Sequence, residues 1–312
     1  MMKFFFKKIL QPIKNRNRKI RDKFISKLLN KNKIRLLDIG AAGGIQDIWI
    51  PFEKNIDLTL FEPHQDSFKN LNKKNYNTIN KALWSEKKES QNFFQTQKPE
   101  CSGFFEPNLE YLKNFPNAKR FKTIKTTAVQ TTTLDDEFSN KNFPHFIKID
   151  TEGAELPILK GGSKTLDQVL GLVIECYFSD FHKNQYKFED VKNYLENKNI
   201  KFFDFLTMIR WERHKHSFCG QPQASDILFL VPPETIIEKF NSNKIDLNIL
   251  RIYVSILFIF NRSDLIKVLE NFLDIKTKLD LHLEEAFYLS EKKVTQVSFI
   301  RKIERYYFDN FF

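Results

Sequence analysis

The chain of 312 residues is 41% hydrophobic and 29% charged, which suits one α/β domain of roughly 200–250 residues with a smaller addition and excludes a globally disordered protein. Lys and Arg number 50 against 39 Asp and Glu, a formal charge of +11, but they accompany many Asn, Ile and Phe and only nine Gly, so biased composition accounts for most of the excess. Cys101, Cys176 and Cys219 lie far apart, without zinc-ligand or disulfide-framework spacing, and an odd count fits a reducing cytoplasm.

Met1–Leu10 places three lysines around three consecutive phenylalanines and lacks the apolar stretch and cleavage site of a secretory signal. Residues 1–33 read as a basic helical segment, with Phe24, Ile25, Leu28 and Leu29 at helical spacing. Ile34–Ile39 is a short apolar strand that ends in a small-residue loop. Ile45–Phe52 reads as the helix after it. Asp57–Phe61 predicts a second strand, His64–Asn72 a helix and Asn77–Leu83 a third strand, a βαβαβ order that implies a parallel sheet.

Residues 85–130 are polar, with Phe93-Phe94 and Phe104-Phe105 among turn residues, and read as strands and loops over one end of the sheet. Thr131–Phe138 contains a helix start. Phe143–Asp150 predicts a strand, Leu156–Gly161 a helix, Val169–Tyr177 a buried strand and Phe188–Asn197 a helix. Phe202–Leu206 and Asp226–Val231 complete the sheet as an antiparallel pair. After Pro232-Pro233 the pattern is helical: Thr235–Phe240, Leu247–Phe260, Ser263–Phe272 and Leu281–Ser290. Its most apolar run, Ile252–Phe260, is about half a membrane span. The reading is a soluble cytoplasmic chain with a basic segment at 1–33, an α/β domain at 34–232 and a helical region at 233–312, which can serve oligomerisation or partner docking.

The segment Leu36–Gly44 carries the ligand argument. A dinucleotide fingerprint counted from Gly40 needs glycine where Ala42 and Ile45 stand, and a P-loop needs Gly-Lys where Ile45-Gln46 stand. Asp-x-Gly-x-x-x-Gly does fit Asp38, Gly40 and Gly44 and suits a cofactor without a pyrophosphate. Glu62, ending the second strand about twenty residues on, can bind both hydroxyls of a ribose, and Ala82-Leu83, ending the third, can lie beside an adenine.

Asp38-Ile39-Gly40-Ala41, Phe61-Glu62-Pro63, Thr133-Leu134-Asp135-Asp136 and Phe146–Glu155, with Leu159-Lys160-Gly161 behind it, resemble the FkbM family of methyltransferases. The resemblance covers about Ile34 to Val231. It implies a Rossmann-like class I methyltransferase fold, mostly parallel with helices on both faces, and S-adenosylmethionine as cofactor. It also implies O-methyl transfer to a sugar, glycan precursor or secondary metabolite, with Asp38, Gly40 and Glu62 as cofactor contacts; their place in the loop and at the strand ends adds Ala41, Ala42, Gly44, Pro63, Ala82 and Leu83 as cofactor-site candidates. Ala42-Gly43 departs from the family, which usually carries Asn and a β-branched residue there.

Methyl transfer to a hydroxyl needs alignment and a proton acceptor rather than a metal. Lys148, Asp150 and Glu152, at alternate positions of an extended strand, project to one side and are the catalytic candidates. The alternative role of Asp150 and Glu152 is to cap the helix near Ala154, where carboxylates are favoured. Glu155 reads as structural, Glu175 as a second strand-end carboxylate facing the crevice and His145 as a surface residue. His182 reads as a loop histidine, and Trp211, Arg213, His214 and His216 as an acceptor lip or an exposed turn. The competing reading is a basic module for RNA or an anionic membrane surface. It lacks an aromatic RNA-binding strand motif, a zinc knuckle and a concentrated basic run. The absence of an Asn/Asp-Pro-Pro-Tyr/Phe motif disfavours methylation of base nitrogens.

Overall fold

The computed structural model describes residues 21–72, 76–139, 143–214, 220–274 and 279. The chain divides into two compact units, one formed by residues 34–46 and 56–232 and the other by the described residues of 1–33, 47–55 and 233–312.

The first unit is an α/β fold. Its strands are β1 (Ile34–Ile39), β2 (Ile56–Phe61), β3 (Asn77–Ile79), β4 (Ala82–Leu83), β5 (Lys88–Thr96), β6 (Thr123–Thr132), β7 (Phe146–Ile149), β8 (Gly171–Tyr177), β9 (Lys201–Phe205), β10 (Ile209–Trp211) and β11 (Gln221–Leu230). The main sheet runs β10-β11-β8-β7-β1-β2-β3, with β9 also on β11. β8, β7, β1, β2 and β3 are parallel, while β11 pairs antiparallel with β8, β9 and β10. Parallel strands covered on both faces read as continuous apolar runs, which is why β1, β7 and β8 are so plain in the sequence. The chain passes from β1 outward to β2 and β3, then returns to β7 on the other side of β1. Such a reversal opens a crevice beyond the carboxyl ends of the strands.

Two expectations are corrected here. Asn77–Leu83 is not one strand: β3 ends at Ile79, and β4 belongs to a separate sheet of order β4-β6-β5. Asn80, between them, donates from Nδ2 to the backbone oxygens of Glu62 and Pro63 at 2.8 and 3.1 Å, so this side chain breaks the strand and fixes the end of β2. The predicted helix at Ile45–Phe52 is also absent. That stretch makes turns and then a 3-10 helix over Ile50–Asn55, with Pro51 inside it.

The helices of this unit are α2 (Gln65–Asn72), α3 (Leu109–Leu112), α4 (Leu134–Phe138), α5 (Glu155–Lys160), α6 (Ser163–Leu166) and α7 (Phe188–Asn197). Thr133 caps α4 by accepting from the Asp136 N–H at 3.1 Å, as its Thr-Leu-Asp-Asp start implied.

The second unit is helical. Residues 21–29 form α1, followed by α8 (Pro233–Asn241), α9 (Leu247–Ile259) and α10 (Ser263–Phe272). Ile25, Leu28 and Leu29 of α1 are fully buried, Phe24 meets Phe258 edge-on, and Trp49 and Phe52 are also core. No described helix is long and apolar enough to cross a membrane. Leu281–Ser290, His216 and Cys219 lie outside the described residues, while Cys101 and Cys176 are buried free thiols.

Candidate functional site

A crevice partly open to solvent lies at the carboxyl ends of β1, β2 and β7 in the α/β unit. Gly40, Ala42, Glu62, Pro63, Ala82, Leu83, Asp150 and Glu152 line it. Asp38, Ala41, Gly44 and Lys148 do not. Ala41 packs into a small core with Leu60 and Leu71, so its side chain serves folding.

The floor is backbone. Gly40 has φ +80°, and its N–H donates to the Phe61 carbonyl at 3.1 Å, holding the loop to the end of β2. Glu62 follows directly. Its Oε1 accepts from the His64 N–H at 2.8 Å, and no described residue engages Oε2. Phe61, Ala82, Leu83, Phe93, Phe104 and Ile158 supply an apolar wall. Phe93 and Phe104 meet edge-on at 5.4 Å. These two were not read from sequence as site residues; the available signal was aromatic pairs in an otherwise polar segment.

Lys148, in the middle of a fully buried strand, sits beside Asp38 on β1 by strand register. Its Nζ is 3.3 Å from Asp38 Oδ1, 3.3 Å from Asp150 Oδ2 and 3.4 Å from the Gly40 carbonyl. The lysine therefore ties Asp38 to Asp150, where sequence had paired it with Asp150 and Glu152. The attraction of both carboxylates outweighs burial and holds its ammonium above the usual lysine range.

Glu152 does not continue the strand's alternation. Its φ is +54°, a left-handed conformation uncommon for a residue with a side chain, and this swings the carboxyl away from Lys148. Its Oε2 instead accepts from Tyr177 Oη at 2.7 Å and stands 4.0 Å from His182 Nε2. Glu155 organises the turn: its Oε1 accepts from the N–H groups of Thr151 and Gly153 at 3.0 and 3.1 Å and from Thr151 Oγ1 at 3.1 Å. No side chain caps the helix that starts at Glu155, so Glu155 braces the turn ahead of it and neither Asp150 nor Glu152 takes the capping role.

His145 is buried rather than on the surface, its Nδ1 accepting from the Arg35 N–H at 3.1 Å. Glu175 does not line the crevice; it lies opposite Asp226 of β11. Trp211 packs among Phe115, Phe121 and Phe181, with Arg120 stacked over it at 4.5 Å, while His214 is exposed.

Burial raises the carboxyls around the crevice, Asp38 to about 6, Glu62 and Glu155 to about 7 and Glu152 to about 8, and lowers His182 to about 4. A carboxyl raised on folding binds its proton more tightly in the folded state. Its contribution is complete below its ordinary value of 3.8 or 4.5 and is lost as pH rises through about 6 to 8. His182 has the opposite dependence, contributing above 6.5 and losing that contribution as pH falls toward 4. Between pH 6.5 and 8.5 the carboxyls titrate while His182 stays neutral. The unfolding free energy of the ligand-free protein is therefore expected to fall across this window, by up to about 1.4 kcal/mol per pH unit for each carboxyl still protonated. Urea unfolding at three pH values checks this; a flat or rising profile contradicts it.

Residues 38–202 match the family model described as the methyltransferase FkbM domain. No curated protein matches the chain. A solved methyltransferase FkbM from Methylobacillus flagellatus KT is similar at 13% identity and TM-score 0.38, over 64% of this chain and 43% of that one, so the chain spans under half of that relative. Magnesium protoporphyrin IX methyltransferase from Synechocystis PCC 6803, with bound SAM, is similar at 9% identity and TM-score 0.34, over 69% of this chain and 79% of its own. TrmK from M. capricolum, in complex with S-adenosyl-homocysteine, is similar at 10% identity and TM-score 0.34, over 80% of this chain and 97% of its own.

Proposed function

The chain belongs to the FkbM methyltransferase family, its domain match spanning residues 38–202 of 312, and from that premise we propose that it uses S-adenosylmethionine to O-methylate a hydroxyl of a sugar, glycan precursor or secondary metabolite. The observation that carries this reading is Glu62. It is a buried carboxylate at the end of β2, held on one oxygen by its own turn and unengaged on the other, at the wall of the crevice. A carboxylate so placed can accept from both hydroxyls of a ribose.

The rest of the crevice fits the same cofactor. A side chain at Gly40 would collide with the Asp150 carbonyl, so the loop keeps its backbone bare toward β7. Ala82 and Leu83, backed by Phe93 and Phe104, offer an apolar wall to a flat base. When bound, S-adenosylmethionine supplies a methyl group on a sulfonium that departs as a neutral thioether. The protein's part is to align the acceptor hydroxyl and receive its proton, and Asp150 and Glu152 are the carboxyls at the crevice placed for that. Lys148 anchors Asp150 and the Gly40 loop from beneath.

Calorimetric titration with S-adenosylmethionine tests the reading. Glu62→Ala is expected to weaken binding about 10- to 100-fold, as for loss of a charged hydrogen-bonding partner. Absence of wild-type binding would remove the cofactor assignment, and unchanged affinity in the variant would remove the ribose role alone.

A further inference from the structure

Glu152 is built unlike the other carboxyls of the crevice. Asp150 has Lys148 at 3.3 Å. Among the described residues no lysine or arginine forms an ion pair with Glu152, whose only such neighbour is His182 at 4.0 Å. That histidine is held neutral. Gln185 donates from Nε2 to the Ser179 carbonyl at 3.1 Å, which fixes its Oε1 as the acceptor facing His182. This oxygen takes the His182 N–H at 2.7 Å and lies 2.8 Å from Nδ1, so Nδ1 carries the proton and Nε2 presents a lone pair toward Glu152. Nε2 is buried and has no hydrogen-bond partner among the described residues. Tyr177 donates to the same Glu152 oxygen at 2.7 Å. The carboxyl therefore has one neutral donor, one neutral acceptor and, among the described residues, no cation in ion-pair contact, and it opens on the crevice.

Resting on the cofactor reading above, we propose that Glu152 follows the charge of the bound cofactor, protonated in the empty crevice, ionised when the sulfonium form is bound and protonated again when the neutral thioether form takes its place. A cation in the crevice supplies the counter-charge that the protein withholds. Ionisation then coincides with the one state in which a proton acceptor is needed, and the acceptor hydroxyl's proton restores the resting form. The groups around Glu152 agree in sign. Burial raises it first, with Asp150 and Glu155 adding repulsion, while the Tyr177 hydroxyl and the more distant Arg120 oppose them. Burial raises Glu175 and the Cys101 thiol as well, and the Glu152 carboxylate adds to both.

Proton linkage tests this without a methyl acceptor. S-Adenosylmethionine and S-adenosylhomocysteine would each be titrated at pH 7.5 in buffers of different ionisation enthalpy, which reports protons released on binding. A unit charge lowering Glu152 by about one pH unit makes the sulfonium ligand release about half a proton more than the thioether. Glu152→Gln should abolish that difference, with retained S-adenosylhomocysteine binding showing that the variant is folded. Tyr177→Phe, which removes the opposing donor, should move the pH of the largest difference upward. Glu62→Gln should change the release common to both ligands and leave the difference. Equal release by the two ligands, or a difference that survives Glu152→Gln, overturns the inference alone. Failure of both ligands to bind overturns the cofactor reading and the inference with it.

Discussion

Gly40→Ala is expected to destabilise the α/β unit by about 2–5 kcal/mol and to abolish S-adenosylmethionine binding, from a left-handed backbone cost of about 1–2 kcal/mol and an overpacking cost of about 1–3 kcal/mol. The residue has φ +80°, and a Cβ built there would stand 1.8 Å from the Asp150 carbonyl oxygen and 2.9 Å from its carbon. Both are backbone atoms just beyond β7, which is hydrogen-bonded on either side to β1 and β8, so the neighbour cannot step aside cheaply. The variant must instead move the loop, which is pinned to the Phe61 carbonyl through Gly40 and Ala41 N–H groups at 3.1 and 3.3 Å. Gly43→Ala is the control. A Cβ there meets nothing within 4 Å, and the expected change is within about 0.5 kcal/mol. Urea unfolding and calorimetry of the two variants check the contrast; wild-type stability in Gly40→Ala would show that this close approach is not maintained in solution.

The same loop shows how far the sequence could be read. Strands buried on both faces announce themselves as apolar runs, so β1, β7 and β8 were legible to within three residues, while β2, half-buried along its middle, showed itself by its apolar end before Glu62; the order of these strands implied the crevice. The place of Glu62 at the crevice was legible because it directly follows an apolar strand paired with the one that ends in the glycine loop. Three features were hidden. The break at Asn80 depends on a side chain reaching two carbonyls of another element, which no local pattern encodes. Period-two alternation assigns Lys148, Asp150 and Glu152 to one side, but the strand already ends at Ile149, and in the turn that follows the left-handed Glu152 places its carboxyl at Tyr177 and His182. Phe93 and Phe104 reach the crevice from β5 and its following loop through a second sheet, a tertiary placement that composition alone cannot supply.

Lys148→Met tests whether the ion-paired base of the crevice is structural, and its effect should depend on pH. The substitution keeps the stem and removes the charge, leaving Asp38, 3% exposed, beside Asp150 with no cation in contact. Removing one partner of a buried pair costs about 3–5 kcal/mol when the other stays charged. Asp38 can avoid this by taking a proton. It is already raised to about 6 with the lysine present, because burial outweighs the attraction of Lys148, and losing Lys148 raises it further. At pH 5 the carboxyl is mostly protonated in either protein, and the variant loses little. At pH 8 the wild type holds an ion pair while the variant must protonate Asp38 against the solution or bury its charge, and the loss approaches its full size. The difference in unfolding free energy between wild type and Lys148→Met should therefore widen from pH 5 to pH 8. Replacing Asp38 with Leu in the same chain should recover much of the stability at pH 8, since an apolar pair of similar volume carries no desolvation penalty. Urea unfolding of the three proteins at both pH values decides the matter. A penalty equal at pH 5 and pH 8 would mean that Lys148 acts through packing of its stem and not through its charge.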